Sequence, residues 1–164
     1  MLSRTTRPGI LSVVFFLLTC TILSIRAHAQ ISDIAVLINP KNPASNISLV
    51  DLRKMFSGEK RMWPGGLPVR LIVRQHSCHE RLTMLHLLGM SESEYKQFWT
   101  AQVFRGDADA EPVAVPSFGM VKESVEALLG AIGFVEAQSI KPGMYLKVIK
   151  VDGHLPGEPG YPLK

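Results

Sequence analysis

The stretch that most constrains this chain runs from Val69 to Gly89, VRLIVRQHSCHERLTMLHLLG. Val69, Leu71, Ile72 and Val73 form a near-continuous apolar run, which suits an inner strand covered on both faces. Arg74 ends that run. Leu82, Leu85 and Leu88 then recur every third residue, with Met84 and Leu87 widening the stripe. Gly89 follows as a helix terminator, where positive φ costs glycine little. The pattern predicts a buried strand, a polar turn and an amphipathic helix, a junction common in α/β folds. The turn holds Arg74, Gln75, His76, Ser77, Cys78, His79, Glu80 and Arg81. A helix that starts here points unpaired backbone N–H groups, with about half a positive charge, at the turn. Arg74 and Arg81 would add fixed charge and fork-shaped donors, so an anion is the natural guest. The plainer alternative is that Ser77 caps the helix and both arginines are solvated.

The start of the chain reads as a secretory signal peptide in all three parts. Arg4 and Arg7 form a basic opening, Ile10 to Ile25 is dominated by apolar residues, and Ala27-His28-Ala29 offers a cleavage site after Ala29. Its core is a little short for a membrane span of ~20 apolar residues. Cys20 sits in Leu18-Thr19-Cys20, a poor lipid-attachment pattern. Removing residues 1–29 takes Arg4, Arg7 and Arg26 and no acid, leaving 15 basic residues against 14 acidic ones. With that balance, and no Lys/Arg block or basic stripe interleaved with aromatics, nucleic acid is not an expected partner. Cys78 is the one cysteine left, so no internal disulfide can form and the fold must rely on its core. The 135 residues that follow Ala29 suffice for one domain.

Along that domain, Ile34–Ile38 reads as a buried strand stopped by Asn39-Pro40. Ser48 caps a short helix with Leu49, Leu52 and Phe56 on one face, ended by Ser57-Gly58. Trp63, in a Trp-Pro-Gly-Gly loop, reads as a packing anchor. Ser91 and Glu94 form a capping box, and Tyr95, Phe98, Trp99 and Val103 continue as an aromatic core face. Residues 105–111 form a solvated polar loop whose acids do not reach a calcium-loop pattern. A helix begins near Ser117, with Val121, Val125, Leu128 and Leu129 inward and Gly130 at its end. Ala131–Val135 and Tyr145–Val151 are further strands, and Gly133 implies close approach by a neighbour. Residues 152–164, rich in Pro and Gly, read as a loose, flexible tail after a domain spanning 30–151. The element order is β–α–β–α–α–loop–α–β–β, which favours helices on both faces of one sheet.

Three stretches together resemble the solute-binding proteins of phosphate ABC importers. The first runs from Asn39-Pro40 through Ser48-Leu49-Val50-Asp51-Leu52-Arg53-Lys54-Met55-Phe56-Ser57-Gly58-Glu59, with Trp63 beyond it. The second is the strand ending at Arg74 with its helix. The third is Gly130-Ala131-Ile132-Gly133-Phe134-Val135. The similarity covers about residues 31–137. It implies a class II periplasmic-binding-protein-like fold: a single α/β/α three-layer lobe with a mixed sheet, where the importers have two lobes. It also implies a periplasmic location, phosphate or a similar oxyanion as ligand, an ABC permease or another periplasmic protein as partner, and neither enzymatic activity nor a cofactor.

The turn departs from the family's pattern. Arg74 matches the arginine that clamps phosphate. His76 falls where the family has an acid, Ser77-Cys78-His79-Glu80 where it has Gly-Ser-Gly-Thr, and Arg81 matches the basic residue that follows. The expected anion site is therefore Arg74 as clamp, Ser77 and the N–H groups of Cys78, His79 and Glu80 as donors, and Arg81 as steering charge. His76 would be a proton-dependent donor, strengthening binding as pH falls. Glu80 would repel phosphate unless it turned away, and each lost charge-assisted bond, at about 1.5–3 kcal/mol, lowers affinity. Two other readings compete. One is a binding lobe reused as a protein-interaction or sensory module. The other is a metal or reactive-thiol site at His76, Cys78 and His79, whose spacing matches no closed zinc pattern.

Overall fold

The computed structural model describes residues 32–75 and 77–164; the expected signal peptide and His76 lie outside the described residues. Strand β1 (Ile34–Ile38) is buried at every position. Its alternation serves two cores: Ile34, Val36 and Ile38 face one, Ala35 and Leu37 the other. A strand with both faces apolar demands cover on both sides, and it gets it. Helices α1 (Leu49–Phe56), α2 (His79–Leu88) and α3 (Glu92–Phe104) supply Leu52, Met55, Phe56, Met84, Leu85, Leu88, Tyr95 and Trp99 to the first core. Helix α4 (Phe118–Ala127) supplies Val121 and Val125 to the second.

The sheet has six strands in the order β2-β6-β1-β5-β3-β4. The others are β2 (Asn46–Ile47), β3 (Arg70–Arg74), β4 (Val113–Val115), β5 (Ala131–Glu136) and β6 (Lys147–Val151). β1 runs antiparallel to β5 and β6, whereas β3 is parallel to β5 and β4, and β2 is parallel to β6. The architecture is thus a single α/β/α lobe with a mixed sheet, as expected. Asn39 closes β1 and also ties the layers, its side-chain amide donating to the carbonyls of Val125 and Glu126 at 2.9 Å each.

Several local signals hold. Ser48 accepts from the Asp51 amide at 3.0 Å, Ser91 and Glu94 form the reciprocal capping box, and Gly89 ends α2 at φ 68°. Trp63 is buried, its indole N–H donating to the Gly130 carbonyl at 3.0 Å. A Cβ on Gly133 would meet Val121 Cγ1 at 3.0 Å and the Ile72 carbonyl at 3.1 Å, the close approach anticipated there.

Other expectations fail for identifiable reasons. Leu82 is 60 % exposed, because α2 buries Arg81, Met84, Leu85 and Leu88 instead; an arginine occupies a position of the inward face. Leu128 and Leu129 are exposed, since α4 stops at Ala127 and the chain turns at Leu128 to enter β5. Val103 lies at the surface. The short strands β2 and β4 had no sequence signal. The tail is not loose: Tyr161 and Leu163 are buried in the first core, and Tyr161 Oη donates to the Ile34 carbonyl at 2.6 Å. The Ile34 amide in turn donates to the Leu163 carbonyl at 2.9 Å. Burial of the aromatic ring and the leucine outweighs what the surrounding prolines and glycines suggest.

Candidate anion site

β3 ends at Arg74, with Val115 of β4 beside it. The Gln75 amide continues the ladder by donating to the Val115 carbonyl at 3.0 Å. The chain then reverses through Ser77, at φ 65°, and α2 begins. Ser77 is therefore not the cap. Cys78 holds that position at φ −119° with no side-chain capping bond; its thiol donates back to the Gln75 carbonyl at 3.3 Å. Among the described residues no side chain caps α2, whose first amides have no acceptor within the helix.

The Arg74 side chain is 15 % exposed and that of Glu80 7 %. Arg74 Nε lies 3.3 Å from Glu80 Oε1, close enough for an ion pair. Its N–H does not point along that line, and among the described residues neither Nε nor Nη1, both buried, has a hydrogen-bond acceptor. Charge is compensated while donor capacity is left over. Glu80 is also well placed in the first turn of α2, where the macrodipole favours a carboxylate.

His79 is half-buried on the neighbouring position, its Nδ1 3.8 Å from Oε1 of Glu136 at the end of β5. The other Glu136 oxygen accepts from Gln138 Nε2 at 2.9 Å. Burial pushes the Cys78 thiol up from its ordinary range, which opposes the reactive-thiolate alternative. Among the described residues no group of three His, Cys, Asp or Glu side chains could hold a metal ion.

Arg81 belongs elsewhere. It is 5 % exposed, and its Nε donates to Glu92 Oε2 at 3.0 Å while Nη2 donates to Oε1 of the same carboxylate. Its guanidinium stacks on the Tyr95 ring, 4.2 Å from the centroid. Burial pushes the Tyr95 hydroxyl up to about 12, with Arg81 acting in the opposite sense. The steering charge expected of Arg81 is thus occupied in joining α2 to α3 (its position after an acid gives no sequence sign of this). Two surface clefts accompany the site without being lined by Arg74. One, of about 490 Å³, lies beside Ser77, Leu82, Leu85, His86 and Met90. The other, of about 440 Å³, lies at the far end of β3 around Arg61, Arg70, Trp99 and Glu111.

Comparison with solved structures places this fold among phosphate receptors. An ABC-type phosphate transport receptor from Vibrio cholerae superposes with a TM-score of 0.60 and 21 % identity, over 76 % of this chain and 48 % of that one. A putative phosphate ABC transporter substrate-binding protein with bound phosphate, from Clostridium perfringens, gives 0.58 and 18 %, over 74 % and 46 %. PstS from Borrelia burgdorferi gives 0.57 and 19 %, over 76 % and 49 %. This chain spans about half the length of those proteins, and the likeness read from its sequence holds at the level of fold. No protein-family model and no curated protein sequence matches it.

Proposed function

We propose that a chain folded as one lobe of a phosphate receptor serves as an exported, periplasmic oxyanion-binding module of reduced affinity, with phosphate the first solute to test. The observation that carries this is Arg74, two of whose guanidinium nitrogens are buried without acceptors among the described residues, beside a helix start with no side-chain cap. In this reading Arg74 is the clamp. The Ser77 hydroxyl and the amides of Cys78, His79 and Glu80 are donors. His76 adds a donor when protonated. Arg81 stays outside the ligand shell because Glu92 holds it. The role is binding rather than catalysis. A permease of the ABC class or another periplasmic protein is the partner that the structural neighbours suggest.

The expected affinity is weak, a Kd on the order of 0.1–1 mM, because the cysteine cap and the nearby carboxylates replace donors that would strengthen it. Isothermal titration of the purified protein with inorganic phosphate should show saturable heat that Arg74→Gln abolishes; no heat at millimolar phosphate would overturn the reading. A second reading, an interaction or sensory module with no solute, is favoured by a different observation. Glu80 already offsets Arg74, and Phe104 at the end of α3 is 93 % exposed. Binding of a periplasmic protein that is insensitive to Arg74→Gln and lost in Phe104→Ser would support it.

A further inference from the structure

We propose that Glu80 is a built-in competitor for the anion site: its carboxylate occupies Arg74 in the resting protein, and a bound oxyanion must displace it. This rests on the oxyanion reading above and concerns what limits it. A carboxylate is itself a planar oxyanion, and this one is 94 % buried as a residue, within ion-pair distance of an arginine whose Nε and Nη1 are buried without an acceptor among the described residues. Arg81, the other arginine there, is held in two bonds by Glu92. Glu136, the other carboxylate nearby, faces His79 Nδ1 and Gln138 Nε2. Glu80 is therefore the group whose charge a ligand meets at Arg74.

The pair is imperfect in the way a displaceable contact needs to be. At 3.3 Å the charges compensate, but the N–H groups of Arg74 Nε and Nη1 have no acceptor among the described residues. Those nitrogens are buried, so an incoming tetrahedral oxyanion reaches them only where Glu80 gives way, and it brings more acceptor oxygens than the carboxylate it replaces. Its cost is the loss of the Arg74–Glu80 attraction and the repulsion of a second negative charge in a partly buried setting. The internal carboxylate thus sets the affinity threshold.

The test compares phosphate titrations of the full protein and of Glu80→Gln, which keeps the side-chain shape and removes the charge. Affinity should rise at least about tenfold in Glu80→Gln, as expected when one like charge is removed at contact range. If the unaltered protein binds phosphate and Glu80→Gln binds it equally or more weakly, the competitor role is overturned while the oxyanion reading stands. If neither binds, both are overturned. Should the variant fail to fold, the side-chain carboxyl carbon of Glu80 in the unaltered protein decides by NMR. A shift that tracks phosphate occupancy supports displacement, and an unmoved signal during saturating binding overturns it.

Discussion

Arg74 and Arg81 carry the same group seven positions apart and meet opposite environments. Arg81 gives its fork to Glu92 and its face to Tyr95, whereas Arg74 keeps donors in reserve against a single carboxylate. Replacing Arg81 by Met keeps the stem's packing but removes the two hydrogen bonds to Glu92 and the cation over the Tyr95 ring. Because the Glu92 side chain is 40 % exposed, the cost is held to about 2 kcal/mol rather than the full penalty of a broken buried pair. A urea midpoint shift at unchanged slope would measure it. Cys78 makes a second case. Burial raises its thiol, so less thiolate is present at neutral pH, and iodoacetamide should alkylate it more slowly than an unstructured peptide thiol. The two rates should converge only as the pH climbs into the alkaline range. At this scale the candidate site was half legible. The strand-ending arginine and the helix start could be read from residue types. The directions in which His79 and Arg81 turn could not, because their partners, Glu136 at the end of β5 and Glu92 at the start of α3, lie 57 and 11 residues away.

At the scale of elements, the helices announce themselves by their ends. Ser48, Ser91 and Ser117 each accept an amide three residues on, and Gly89 takes the left-handed terminator. The α3 box has a pH signature. The Ser91 backbone and hydroxyl donors hold the Glu94 carboxyl below the usual glutamate range. A group whose folded value is depressed contributes stability above its unfolded value and loses it as the pH falls through the folded one. The difference in stability between the natural protein and Glu94→Gln should therefore be full at neutral pH, begin to fall as the pH reaches the usual glutamate value of about 4.3, and be lost only as it passes below the depressed folded value; denaturation curves across the acid range would check it. What sequence could not supply were β2 and β4. Two or three residues carry no periodicity, and each forms only because a completed neighbour, β6 or β3, offers a free edge. The α2 face was misjudged for a related reason: a leucine every third residue drifts around the helix, and burial followed Arg81, Met84, Leu85 and Leu88.

At the scale of the whole molecule, the last thirteen residues are part of the core they follow. Tyr161 and Leu163 bury side chains worth about 1.5–3 kcal/mol each, and their bonds to Ile34 add to that. That sum is a large share of the stability of an ordinary domain, so a chain ending at Val151 should lose its cooperative thermal transition by circular dichroism. The placement of β1 has a further consequence. Both of its neighbours, β5 and β6, come from residues beyond 130. First in sequence among the described strands, β1 therefore has nothing to pair with until residues 131–151 exist. Loop closure over about a hundred residues must precede the central ladder, which slows folding and keeps Ile34–Ile38 sticky in the meantime.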